Sequence, residues 1–163
     1  MTAENSKSMS IIVTKGTLDW AYPPFILATT AASLGVSVSM FFTFYGLTLL
    51  KKDLDLQISP LGKPDMAMPM MGMHMKMPNM VAMLPGVNAA ATTMMKNLIK
   101  KKGVASIEEL RDLAKEADIE MIACQMTLDL FEYSSKDLIE GIKLGGAATY
   151  MEKALKSDIN LDI

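Results

Sequence analysis

The chain has 163 residues, half of them hydrophobic and 21% charged, which suits one folded domain with a substantial core and argues against disorder. A formal net charge of −2 argues against a surface built to grip nucleic acid. The single cysteine, Cys124, excludes an internal disulfide and suits a reducing compartment, and the single histidine, His74, excludes a multi-histidine metal site.

The amino-terminal MTAENSKSMS is polar and mixed in charge, unlike a secretory signal, so a cytoplasmic location is expected. Ser10–Thr14 (SIIVT) reads as a first buried strand that ends at Lys15-Gly16. No charged residue occurs between Asp19 and Lys51, a stretch long enough to cross a bilayer. Its texture points elsewhere: Pro23-Pro24 open a helix over Tyr22–Leu34, and Gly35 introduces a β-branched and aromatic run. That run, Val36–Tyr45, reads as a second strand, apolar on both faces, followed by a helical turn over Leu47–Lys52. Strand, helix and strand with short links is the pattern of a parallel sheet.

From Leu54 to about Asn79 the regular pattern stops. The segment Asp65–Met80 holds eight of the seventeen methionines among prolines and a glycine, so a continuous helix is excluded and a long loop is expected at about 60–80. Asn88–Lys102 reads as a helix stopped by Gly103, and Ser106 with Glu109 has the spacing of a capping box opening another. Ile119–Ala123 reads as a strand ending at Cys124, Gln125–Phe131 as a helix, and Ser134–Ile139 as a further helical turn. Gly145-Gly146 suggests a close approach to the sheet, Ala147–Lys156 a helix, and Ile159–Ile163 a closing strand.

Cys124 is the sharpest chemical candidate, because it sits where a strand hands over to a helix. Ligand sites in open α/β sheets gather outside the carboxyl ends of strands, and backbone N–H groups there stabilise a thiolate. The opposing reading is a small hydrophobe buried in the core and chemically inert. Lys15, Gly16 and Asp19 follow the first strand and belong to the same rim if the sheet is parallel. With no second cysteine there is no intramolecular two-cysteine peroxidase cycle, and with His74 alone no Ser–His–Asp set. No phosphate-binding glycine motif is present. A sulfur-relay cysteine needs only an accessible thiolate and an external thiol. The methionine segment has three readings: a soft Cu(I) site with His74, an adaptable face for a partner, a lid or a membrane surface, or a cover for the protein's own core.

Several segments together resemble the DsrE/DsrF/DsrH-like sulfur-transfer family. They are Gly16-Thr17-Leu18-Asp19, Ala31–Gly35, Val38–Leu47 with its FFTFYGL run, the methionine–proline segment, Asn79–Gly86, Gly103–Leu110, Ile122–Thr127 (IACQMT) and Gly145–Tyr150. The resemblance covers nearly the whole chain, residues 1–163. It implies a three-layer α/β sandwich with a mostly parallel sheet and a homo-oligomer without cofactor or resident metal. It implies, too, that Cys124 holds sulfane sulfur as a persulfide or thiosulfonate, with Lys15, Gly16, Gln125, Met126 and Thr127 near the site. The partners it implies are small sulfur carriers of the TusA type, rhodaneses or heterodisulfide-reductase-like complexes. Some family members carry a second cysteine shortly after the first; Thr127–Tyr133 contains none, which leaves no intramolecular exchange step. The alternative is a non-catalytic binding or scaffold protein that uses the methionine segment on a partner, a membrane surface or Cu(I).

Overall fold

The computed structural model describes residues 7–59, 67–70, 73–76 and 84–163. The elements in chain order are β1 (Ser8–Val13), α1 (Leu18–Ser33), β2 (Ser37–Phe42) and a 3₁₀ helix (Phe44–Leu50). A short ribbon follows, β3 (Ala67–Met70) and β4 (Met73–Lys76), then α2 (Val87–Lys101) and α3 (Ile107–Glu116). The chain continues through β5 (Glu120–Cys124), α4 (Gln125–Leu130), a 3₁₀ turn (Ser135–Asp137), β6 (Lys143–Gly145), α5 (Ala147–Ala154) and β7 (Ile159–Asp162). The described residues form two compact units. One comprises the chain up to Gly16, Trp20–Asp55 and Ser106–Ile163; the other comprises Thr17–Asp19 and the described residues from Leu56 to Ala105.

The first unit is built on a five-stranded sheet, order β6-β5-β2-β1-β7, with every pair parallel. This is the α/β architecture with a parallel sheet expected above. The register places Ile11, Val13, Met40, Phe42, Met121 and Ala123 on one face, all at most 2% exposed. Phe25 of α1 packs on Phe42 there, with ring centroids 5.9 Å apart. The other face carries Ile12, Phe41, Ile122 and Cys124 toward the carboxyl ends of the strands, and Ser8, Ser10, Ser37 and Ser39 toward their amino ends. Its cover includes α5, whose Tyr150 packs on that apolar group.

This corrects the expectation that β2 is apolar and buried on both faces. Ser37 is exposed and Ser39 half-buried, since SVSMFF alternates at its start and becomes two-sided only at Phe41-Phe42. The strand also ends earlier than expected, at Phe42, because the following FYGLTLL winds into the 3₁₀ helix. α1 starts at Leu18 rather than Tyr22, so Pro23 and Pro24 stand in its second turn instead of its first. The capping box at Ser106 is present: Glu109 N–H donates to Ser106 Oγ at 3.2 Å and Ser106 N–H to Glu109 Oε2 at 2.6 Å.

In the second unit, part of the expected methionine-rich loop is an antiparallel ribbon. Prolines forbid a helix there but not a two-stranded ribbon, where each strand has an outer side that needs no donor. The rest of the loop expected at 60–80 lies outside the described residues. Asp19 accepts from Ser59 N–H at 2.8 Å and Ser59 Oγ at 2.6 Å, and Thr17 Oγ1 lies 3.0 Å from Ser59 Oγ. Burial pushes the Asp19 carboxyl up, yet these donors outweigh it and hold the group below its usual range.

Candidate functional site

Cys124 is the last residue of β5 and the residue that leads into α4, with extended backbone. It is 4% exposed and packs in a small apolar group with Phe41 and Ile122, against which Ile12 and Tyr150 lean. The Phe41 and Tyr150 ring centroids are 5.4 Å apart. Gly145 of β6 is the register partner of Cys124, and a Cβ there would come within 3.0 Å of Ile122 and of Thr149. A side chain here would be tight and would make Ile122 or Thr149 give by a few tenths of an ångström, which marks a close approach of β6 to β5 and α5.

A second set of groups brings polarity to this apolar group. Thr127, in the first turn of α4, is fully buried, and its Oγ1 lies 3.1 Å from Thr43 Oγ1. Phe44 N–H donates to the same Thr127 oxygen at 3.1 Å. Burial pushes the Cys124 thiol up. Opposing it are the Thr127 hydroxyl and N–H, the Thr43 hydroxyl and the Met126 N–H, and the net shift is downward. Two hydroxyl protons are available, and the contact between the threonines uses at most one. The other is left over from that contact. The site can stabilise an anionic sulfur in a sheltered place, while none of these neighbours is a general acid or base.

The geometry of Thr43 depends on two glycines. Phe44, just after it, has φ +46°, a left-handed conformation uncommon for a bulky residue, which turns the chain from β2 into the 3₁₀ helix. Gly46 N–H is bonded to Thr14 O at 3.1 Å and to Thr43 O at 3.0 Å. A Cβ on Gly46 would overlap the Val13 carbonyl, and one on Gly16 would overlap the Tyr45 carbonyl and Thr48 Oγ1. The turns after β1 and β2 are thus pressed backbone to backbone, and Thr43 is held between them and Thr127.

The residues expected near the site separate into two groups. Thr127 and Met126 supply groups that act on the sulfur, and the Met126 side chain itself is 57% exposed. Gln125 is exposed, and its amide donates to Asp129 Oδ1 at 3.0 Å. Gly16 is packed on Tyr45 and Thr48 as described, and Lys15 Nζ lies 3.4 Å from the centre of the Trp20 ring. Sequence reasoning did not single out Thr43, Phe41 or Tyr150. Thr43 carried a usable signal, as the one non-aromatic residue within the run FFTFY. Around the pocket, Phe44, Tyr45, Met126 and Leu130 are exposed, and the Tyr45 and Phe131 rings stand 5.8 Å apart. Among the described residues no three His, Cys, Asp or Glu side chains gather to hold a metal, and no helix is long and apolar enough to cross a membrane.

Comparison with known proteins agrees with this reading of the fold. A family model described as DsrE/DsrF/DrsH-like matches residues 5–161. The sulfur carrier protein DsrE2 of Allochromatium vinosum is 57% identical over 157 residues, covering 96% of this chain and 98% of that protein. The uncharacterized protein YrkE of Bacillus subtilis is 31% identical over 162 residues, covering 98% and 99%. Among solved structures, the ychN protein of E. coli superposes with a TM-score of 0.53 at 13% identity, covering 97% of this chain and 99% of its own. MTH1491 of Methanobacterium thermoautotrophicum, a protein of unknown function, superposes with a TM-score of 0.52 at 10% identity, covering 96% and 99%. These two structures share the fold.

Proposed function

The chain belongs to the DsrE/DsrF/DrsH-like family, and from that premise we propose that it is a sulfur carrier acting through Cys124. The observation that carries the reading is the place of Cys124 at the carboxyl end of β5, leading into α4 beside the buried Thr43–Thr127 hydroxyl pair, with donors that oppose burial and lower the thiol. The Cys124 thiolate attacks the outer sulfur of a donor persulfide. One S–S bond forms on Cys124, the donor's S–S bond breaks, and the donor leaves as a thiolate, with no net oxidation. Transfer to an acceptor thiolate is the same step in reverse. With tetrathionate the same attack leaves a thiosulfate unit on Cys124 as the thiosulfonate form and releases thiosulfate. Thr127, Thr43 and the Met126 N–H hold the anionic product as they hold the thiolate.

The pocket's chemistry supports carriage over turnover, because the donors around the sulfur stabilise charge and move no protons. The exposed Phe44, Tyr45, Met126 and Leu130 form an apolar rim suited to a protein donor or acceptor, for which TusA-type carriers, rhodaneses or heterodisulfide-reductase-like complexes are candidates. On the α5 side, Met151 and Leu155 are exposed, and the proposal includes assembly of identical chains over that thinly covered face, in the cytoplasm.

Incubating the reduced protein with thiosulfate, tetrathionate or polysulfide and recording intact mass tests this reading. A reductant-reversible adduct on the wild type, absent from Cys124→Ser, is expected. No adduct from any donor on a thiol that alkylates readily would overturn it.

A further inference from the structure

Arg111 is the chain's only arginine, against fifteen lysines, and it is buried in α3 at 5% exposure. Long cationic side chains are almost never buried unless they are paired. Among the described residues no carboxylate lies within ion-pair distance of it. The carboxylates that act on it, Glu108 and Asp112, belong to its own helix, and its Nε is buried without a partner. Arg111 Nη1 instead donates to Leu49 O at 3.1 Å and to Lys51 O at 2.7 Å. Leu50 O, between them, accepts from Ile139 N–H at 2.9 Å. Three successive carbonyls where the 3₁₀ helix ends are thus held from outside it, two of them by one guanidinium.

The other end of that helix belongs to the cysteine site. Thr43 precedes it, and Phe44, its first residue, has φ +46° and donates its N–H to Thr127 Oγ1. A bulky residue keeps such a conformation only where its surroundings over-determine it. The helix runs seven residues, Phe44–Leu50, beyond the length of about three or four that 3₁₀ hydrogen bonds usually sustain. Leu47, Leu49 and Leu50 are buried, but apolar packing has no direction, whereas charge-assisted bonds from Arg111 fix where the last turn stops. We infer that Arg111 is a positioning residue for the Cys124 site: its hold on the exit of the 3₁₀ helix keeps Thr43 and the Phe44 N–H on Thr127. This role rests on the sulfur-carrier reading, in which Thr43 and Thr127 flank the sulfur. Released at its exit, the helix unwinds, Phe44 returns to negative φ, and Thr43 moves off Thr127.

Arg111→Met keeps the length of the side chain and removes its donors; Arg111→Lys keeps the charge without the planar fork. The reduced full chains are alkylated with iodoacetamide across pH. Amide hydrogen exchange is followed at Phe44, with Phe41 inside β2 as the reference. In Arg111→Met the midpoint of the alkylation curve should rise, and the rate at neutral pH should fall about threefold or more. Exchange at Phe44 should quicken about tenfold or more relative to Phe41. Thr43→Val should raise the midpoint likewise, and combining it with Arg111→Met should add little, because both act through one hydroxyl. The inference is overturned if either readout keeps its wild-type value in a folded Arg111→Met chain, or if the two substitutions add in full. Should Arg111→Met fail to fold, Arg111→Lys decides: smaller shifts of the same sign uphold the role, and unchanged readouts overturn it. Iodoacetamide reads the thiol directly, so a failure of sulfur loading would leave this result standing.

Discussion

The hydroxyls of Thr43 and Thr127 lie 3.1 Å apart although 84 residues separate them in the chain. They meet because β2 and β5 are neighbours in the sheet, with Phe42 beside Ala123, so the turns that follow both strands converge over the Cys124 sulfur. Thr127 Oγ1 also accepts from Phe44 N–H, a bond that occupies one lone pair and leaves its hydroxyl proton uncommitted by that contact.

Thr127→Val removes a hydroxyl donor to the sulfur and strands Phe44 N–H. The Cys124 thiol should move upward, and alkylation by iodoacetamide at neutral pH should slow about tenfold or more. Thr127→Ser keeps the hydroxyl and should keep the profile. A pH–rate curve for alkylation decides between them, and equal curves for all three proteins would refute the role given to Thr127.

The same lowered thiol has a consequence for stability. Because the folded thiol ionises more readily than the unfolded one, its contribution is full above the ordinary thiol range. It fades as pH falls through the lowered folded pKa. Urea unfolding of wild type and Cys124→Ala should therefore diverge in favour of the wild type as pH rises.

Tyr150 is a half-buried ring that packs on the group of Phe41, Ile122 and Cys124, with its ring against that of Phe41. Tyr150→Ala should raise the alkylation rate of Cys124 several-fold at every pH while leaving the pH at half-maximal rate in place. A displaced midpoint would show that Tyr150 acts on the charge of the sulfur instead.

Gly46→Ala forces a Cβ into the Val13 carbonyl, and backbone on backbone has no flexible end to yield. Destabilisation of about 2 kcal/mol or more is expected from urea unfolding. Gly35→Ala is the contrast: open space surrounds it, and only its left-handed φ of +79° opposes the change, at about 1 kcal/mol.

Glu120 joins β5, β6 and α5, with Lys143 Nζ at 2.5 Å and Lys153 Nζ at 2.6 Å. Burial pushes its carboxyl up, and the two ammonium groups outweigh this and hold it below the usual range. Its stabilising effect is present above the unfolded carboxyl pKa and is lost as pH falls through the lower folded one. Glu120→Gln should cost about 0.5–1 kcal/mol at neutral pH, a difference that closes in acid and shrinks with salt, as thermal unfolding would show.

Most of the element order was legible without coordinates, because the signals are local. Ser106 with Glu109 announced a helix start, IEMIA a buried strand, and the position of Cys124 at a strand-to-helix junction followed from that strand's end. The polar lining of the cysteine was not legible. Thr43 and Thr127 become one site only through the pairing of β2 with β5, and no short-range preference encodes which strands become neighbours. Likewise the prolines of the methionine segment ruled out a helix, but only backbone pairing made an antiparallel ribbon of Ala67–Met70 and Met73–Lys76. The sequence by itself determined where the thiol stands along the chain and which element types flank it, since backbone propensity and hydrophobic period act over a few residues. The tertiary structure decided what surrounds that thiol, since burial and hydrogen-bond satisfaction are settled between segments far apart in sequence.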